Sequence, residues 1–277
     1  MGKLEKKIII RLDGGIGNQL FQWAFCKILS EINNAELYVD SKYSNLRQNP
    51  NFPRPILLEQ LGIKLPEYLD SFKRNSCLLQ GVLKHIHYNT KIVQEIDMRY
   101  NSNHLRIYRS KKIHVEGFWQ SPRYFDSKQN LIRSSIKLRD NELVNTIGLH
   151  VRRGDYIDFS SNSKIYINLF ETGFYGRATE YMRNKYPKHK MKIFSDDIEW
   201  CKKHFDNRKF EFSSNENTID DFLEFASCEH QVIANSTFSW WAAWLNPNKN
   251  KTVIAPKKWY HNHWDESHLL LKEWIVF

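Results

Sequence analysis

The chain has 277 residues, 41% of them hydrophobic and 14% aromatic, which supports a sizeable core and excludes a disordered chain or a small disulfide-stapled fold. Its four cysteines, Cys26, Cys77, Cys201 and Cys228, form no C-x-x-C pair, which argues against a zinc ribbon or redox motif and fits a reducing compartment. The net charge of +10 lies wholly in the first half, since residues 1–140 hold 23 lysines and arginines against 13 acids and residues 141–277 hold 18 of each; the first half either faces something anionic or is a basic solvated surface. In chain order, residues 7–12 read as a strand, residues 13–17 as a glycine turn, residues 18–32 as a helix and residues 36–40 as the next strand, a β–Gly loop–α–β unit. Residues 41–110 are weakly patterned, with a loop around Pro50, Pro53 and Pro55 and a helix near residues 56–61. A strand at 113–119 and helical spacing over 122–136 follow.

The second half alternates. Strands are predicted at 146–151, 192–195, 209–212, 231–234 and 252–255, and helices within 166–186 and at 198–205, 218–228 and 238–245. Strands separated by helices imply a parallel, doubly wound sheet, in which ligands bind outside the carboxyl ends of the strands. Residues 152–155, 195–197 and 235–239 converge there.

Three segments carry residue types suited to chemistry. The turn Asp13-Gly14-Gly15-Ile16-Gly17-Asn18-Gln19-Leu20 is open to three readings: a dinucleotide fingerprint with Gly15, Gly17 and Asp40, weakened by Leu20 where a small residue belongs; a tight turn needing positive φ; or a binding turn in which Asn18 and Gln19 offer paired donors and acceptors. In Gly148-Leu149-His150-Val151-Arg152-Arg153-Gly154-Asp155, two arginines at a strand end suit phosphate oxygens, and alternation places Arg152 on the face of His150 with Arg153 opposite. Asp196 and Asp197 follow Ser195 at another strand end, where one of them is expected to cap the next helix. The block Asn235-Ser236-Thr237-Phe238-Ser239-Trp240-Trp241 places hydroxyls at a helix start, a ready anion site, with tryptophans that read as core.

Together these segments resemble the α-1,2-fucosyltransferases of glycosyltransferase family 11, whose landmarks are a Gly-Gly-x-Gly-Asn-Gln turn, a His-x-Arg-Arg-Gly-Asp strand end and an Asn-Ser-Thr-Phe-Ser-Trp-Trp block. All three stand here in order, at 14–19, 150–155 and 235–241. The resemblance implies a GT-B fold, α/β, with two Rossmann-like domains facing each other across a cleft: an acceptor-side domain over residues 1–140 and a GDP-fucose-binding domain over residues 141–277. It implies transfer of L-fucose from GDP-β-L-fucose to the 2-hydroxyl of a galactose in an oligosaccharide, with inversion and with no metal or other cofactor. By match to the motifs, Arg152 is assigned to the diphosphate. His150, Ser195 and Asp196 are expected at the nucleotide, with Asn235, Ser236, Thr237 and Ser239 near the phosphates. Asn18 and Gln19, with Gly15 and Gly17, are expected to meet fucose or acceptor. Arg153 is expected at Asp155 or the domain junction, and Asp155 and Asp158 are candidate bases.

Neither a signal peptide nor a membrane anchor is read at the start. A bacterial, cytoplasmic enzyme of O-antigen or capsule synthesis is therefore expected, with a lipid-linked acceptor and peripheral contact with anionic membrane as further expectations. Two other readings stay open: a nicotinamide oxidoreductase using Gly15, Gly17 and Asp40, and a basic nucleic-acid binder, against which stands the lack of any recognisable nucleic-acid motif. The His85/His87 and His261/His263 pairs have no nearby third ligand for a metal.

Overall fold

The computed structural model describes residues 6–40, 54–68, 89–139, 143–154, 156, 164–261 and 266–277. Contacts divide the chain into two units, Met1–Ile136 and Lys137–Phe277. Each is an α/β unit built on a parallel sheet.

In the first unit three successive isoleucines, stiff at χ1 and suited to an extended backbone, form most of β1 (Lys7–Ile10) and are buried. The chain turns at Gly14, where φ is +77° and a side chain would be strained. It then enters α1 (Ile16–Asn33), whose residues Leu20, Phe21, Ala24, Phe25 and Leu29 have no solvent exposure. The helix stops at Asn34 in the left-handed region, φ 45°, a conformation asparagine tolerates better than most residues. β2 (Glu36–Val39) returns parallel to β1. β3 (Thr90–Gln94) and β4 (Lys112–Glu116) complete the sheet, in the order β2-β1-β4-β3. β3 escapes a reading by pattern because, at the sheet edge, Val93 is its one buried residue. The helix expected over 122–136 is instead two 3-10 turns, Pro122–Tyr124 and Asp126–Lys128, and a short α2 (Gln129–Ser134). Phe125 and Lys128 have φ near −130°, which breaks the helical ladder; Tyr124 then packs edge-on to Phe25 and Phe125 against Phe21.

The second unit runs β5 (Leu143–Val151), α3 (Phe174–Lys185), β6 (Lys190–Ser195), α4 (Ile198–His204), β7 (Glu211–Phe212), α5 (Thr218–Ser227), β8 (Cys228–Val232), α6 (Thr237–Leu245), β9 (Val253–Ala255) and β10 (Ile275–Val276). Its sheet has the order β10-β9-β8-β5-β6-β7. Ile147, Leu149 and Val151 of β5 pack with Phe174, Ala178 and Met182 of α3. The alternate residues face Phe225 of α5: a Cβ on Gly148 would stand 2.8 Å from that ring, and His150 lies 6.0 Å from it. β10 has two residues, too short to read by alternation. In both sheets the strand order reverses beside a central pair, β1 and β4 in the first and β5 and β8 in the second. Such reversals open a crevice at the carboxyl ends of the strands.

Candidate active site

At the end of β5 the two arginines part. Arg153 lays its guanidinium 3.5 Å from the centre of the Trp200 ring on α4, and its Nε donates to Asp197 at 3.4 Å. Arg152 turns away from α4: its Nη1 donates to Asp196 at 2.9 Å and its guanidinium lies 5.0 Å from the Tyr156 ring. Asp196 also accepts the backbone N–H of Arg153 at 2.9 Å, so this carboxylate fixes the arginine turn. Asp197 caps α4 by accepting from the Trp200 N–H at 3.1 Å, and its own N–H donates to Ser195 Oγ at 3.0 Å. The glycine after the arginines has a packing reason, since a Cβ on Gly154 would stand 2.2 Å from the Asp196 carboxylate. Asp155 and Asp158 lie outside the described residues.

His150 is buried below this turn, stacked 4.9 Å from the Phe238 ring. Burial, with nearby Arg152 adding to it, lowers its pKa to about 3, so the ring is neutral; it packs beneath Arg152, and its Nδ1 is buried without a hydrogen-bond partner. Across the switch point, Asn235 is likewise held by its own chain. Its side-chain amide donates to the carbonyls of Ile167 and Trp259 at 3.0 Å each, and its backbone carbonyl accepts from Tyr156 Oη at 3.1 Å. This ties the loop after β8 to the loop after β5. Ser239 is fully buried and closes its own turn, accepting from the Ala234 N–H at 3.2 Å and donating to the Ser236 carbonyl at 3.2 Å. Ser236 and Thr237 begin α6, whose first N–H groups have no partner within the helix. Trp240, Trp241 and Trp244 are core.

In the first unit, Gln19 is 1% exposed and makes three bonds within the chain: its amide donates to the carbonyls of Gly14 (3.0 Å) and Pro55 (2.8 Å), and its oxygen accepts from the Leu57 N–H at 2.9 Å. It clasps residues 55–57 to the turn and has no amide hydrogen left for a substrate. Asn18 is half-buried and accepts from Gln120 Nε2 at 3.0 Å. Gly17 is buried in the first turn of α1. Gly15 has ordinary φ, and a Cβ built on it would meet no protein atom within 4 Å. Asp40, the acid a dinucleotide site would need, is 1% exposed and paired with Arg11 at 3.4 Å, and Arg11 also pairs with Glu116. The nicotinamide reading loses its ribose partner.

Sequence reasoning missed Gln120 and Glu95. Glu95 follows β3, and one carboxylate oxygen accepts the N–H groups of Phe118 and Trp119 at 2.8 and 2.9 Å; the other is buried without a partner. Burial raises its pKa. The loop it anchors presents Gln120 to Asn18. Gly117, at φ +143° with Glu95 crowding the place of a Cβ, was the signal available. One His–Glu–His group among the described residues, His189, Glu229 and His230, is close enough to share a metal ion. It lies by β8's start and before β6, away from the arginines. His230 Nδ1 accepts the Thr252 N–H at 3.1 Å, which keeps the ring proton on Nε2 and spoils that nitrogen as a ligand.

The chain matches Glycosyl transferase family 11 over residues 3–277 and belongs to that family. It is 30% identical to an alpha-1,2-colitosyltransferase of Escherichia coli, covering 91% of this chain and 92% of that one. It is 26% identical to the E. coli O-antigen biosynthesis glycosyltransferase WbnK, covering 95% and 98%, and 23% identical to the mouse galactoside 2-alpha-L-fucosyltransferase Sec1, covering 98% and 74%. Among solved structures, fucosyltransferase NodZ from Bradyrhizobium shares the fold, with a TM-score of 0.50 over 88% of this chain and 94% of that one at 15% identity. The chain is thus a glycosyltransferase of GT-B type.

Proposed function

We propose that this glycosyltransferase moves L-fucose from GDP-β-L-fucose to the 2-hydroxyl of a galactose, inverting the anomeric carbon, in assembly of a cell-surface polysaccharide in the bacterial cytoplasm. The observation that carries the reading is Arg152, held by Asp196 at the β5–β8 switch point, next in space to the loop that opens α6. When the bond from fucose to GDP breaks, negative charge collects on the β-phosphate, and a guanidinium already oriented there stabilises the transition state more than the ground state. The N–H groups at the start of α6, with Ser236 and Thr237, supply further donors. With arginine carrying the charge, the reaction is proposed to run without a metal. Asn18, oriented by Gln120, would hydrogen-bond fucose or acceptor. The acceptor hydroxyl proton is assigned to the carboxylate of Asp155, from its place directly after Gly154.

A second donor is favoured by one specific comparison, the colitosyltransferase relative at 30% identity. Colitose lacks the 3-hydroxyl of fucose, so the two readings differ only at that position of the donor. Dialysed enzyme in excess EDTA is given GDP-fucose or GDP-colitose with a soluble β-galactoside, and the linkage is read by NMR. Fucose joined α to O-2 is the expected product. Colitose transfer alone would move the donor to the second reading; transfer to another hydroxyl, or an absolute need for a divalent ion, would overturn the proposal.

A further inference from the structure

At the edge of the first sheet opposite the glycine turn, cations gather around one exposed aliphatic side chain. Lys7 and Lys112 are register partners on β1 and β4, an arrangement of like charges that disfavours pairing. The Lys7 N–H donates to the Lys111 carbonyl at 2.7 Å, and Lys6 Nζ donates to the Tyr108 carbonyl at 2.7 Å. Asn33, at the end of α1, pins the same segment, donating to the Arg106 carbonyl at 3.0 Å and accepting the Tyr108 N–H at 2.8 Å. Arg106 and Arg109 are exposed. Arg106 and Arg109 thus stand outermost, with the half-buried Lys6 and Lys111 beside them, while the half-buried Lys7 and Lys112 lie over the Tyr38 and Tyr68 rings at 4.6 and 5.7 Å. Among the described residues these bonds join, Glu36 is the carboxylate; its N–H donates to the Lys6 carbonyl and its side chain accepts from Tyr38. Tyr108 is buried while Ile107, beside it, is 73% exposed. Bonds on both sides of Ile107 hold it outward, and it has no apolar neighbour to cover it among those contacts.

We infer that this amino edge of the first sheet docks on an anionic lipid bilayer, the cations lying over lipid phosphates and Ile107 entering the boundary between headgroups and acyl chains. A nucleic acid would satisfy the cations equally but offers no apolar phase to a fixed isoleucine, whereas a bilayer supplies both. The carboxylates Asp40, Glu95 and Glu116 stand at the other ends of the strands, so docking leaves the edge that bears Asn18 and Gln120 turned away from the lipid. The inference extends the proposed function to an acceptor carried on a membrane lipid, but its test reads binding and not transfer.

The full chain is sedimented with phosphatidylcholine vesicles, with and without phosphatidylglycerol, across a salt series. Wild type should bind the anionic vesicles at low salt, be released at high salt and ignore the neutral ones. Removing three charges, the exposed Arg106→Ser and Arg109→Ser with the half-buried Lys111→Ser, should weaken binding roughly 10²-fold, at about fivefold for each charge. Ile107→Ser should weaken it roughly fivefold to tenfold without changing the salt dependence. Circular dichroism melting checks that the variants fold, and transfer to a soluble galactoside should be unchanged in both. The inference is overturned if the triple variant binds as wild type does, if Ile107→Ser has no effect, or if a single-stranded oligonucleotide binds as tightly as the anionic vesicles at matched salt. Loss of transfer by wild type with vesicle binding intact would sink the proposed function and leave the docking surface standing.

Discussion

The carboxyl edges of the two sheets share a plan and differ in chemistry. In each, a central strand ends in a turn with a glycine and a neighbouring strand sends a second loop beside it. The first edge holds amides and carboxylates: Asn18 is bonded to Gln120, Gln19 is closed on its own turn, Asp40 and Glu116 neutralise Arg11, and Glu95 binds two backbone N–H groups. The second holds two arginines oriented by two aspartates, beside the start of a helix. Even the glycines answer different demands, Gly14 a positive φ and Gly154 the nearness of Asp196. A diphosphate suits the second edge and hydroxyl-bearing sugars suit the first.

The sharpest way to break this contrast is at the arginines. Arg152→Ala should lower kcat/KM by at least about 10²-fold, by analogy with removal of an oxyanion donor, and Arg152→Lys should restore little, because a point charge lacks the two-pronged geometry. Arg153→Ala, which gives up a stacking contact on Trp200, should mainly lower the melting temperature. Equal losses of turnover from folded Arg152→Ala and Arg153→Ala proteins would erase the distinction drawn between them.

Each unit also carries a buried neutral histidine. Burial, with a nearby arginine, lowers the pKa of His150 to about 3 and of His114 to about 4. In the unfolded chain both titrate near 6.5. Between those values the unfolded state binds the proton first, so stability is full above pH 6.5 and falls as the pH drops toward 4, by about 3 kcal/mol for each histidine. Urea midpoints at pH 7.5 and 4.5 should show the decline, and His150→Phe should flatten part of it; a midpoint that holds steady across this range would contradict the assignment.

On the first edge, Gln19→Ala leaves two carbonyls and one N–H without their partner and should cost about 2 kcal/mol of stability, read from denaturant midpoints. A wild-type midpoint with a raised acceptor KM would instead return Gln19 to the substrate. The smallest effect is expected from the glycines. Gly154→Ala should push Asp196 from Arg152 and lower turnover roughly tenfold. Gly15→Ala should leave the melting temperature unchanged and raise the KM for acceptor but not for GDP-fucose; a fall in melting temperature would show that Gly15 serves the fold.

The elements legible in the sequence are those with a strong period or a forced turn: the isoleucine strand, its glycine turn and helix, and the alternating second half. β3 and β10 were not, because one is a half-polar edge and the other two residues long. The motifs located both edges but did not say which members face outward. α1 is buried on nearly all sides, so helical phase could not separate Asn18 from Gln19. Asn235 and Ser239 look like phosphate ligands by type, yet Asn235 bonds to carbonyls that only the folded loops bring near, and Ser239 closes bonds within its own turn. Strand alternation, by contrast, separated Arg152 from Arg153 one residue past the end of β5.

The central claim is that the nucleotide diphosphate binds at the second edge and not the first. Calorimetric titration of GDP in excess EDTA, on wild type, Arg152→Ala and Asn18→Ala, tests it directly. Wild type and Asn18→Ala should bind GDP alike, and Arg152→Ala should bind at least about tenfold more weakly. Undiminished GDP binding by folded Arg152→Ala, with loss in Asn18→Ala, would contradict the account.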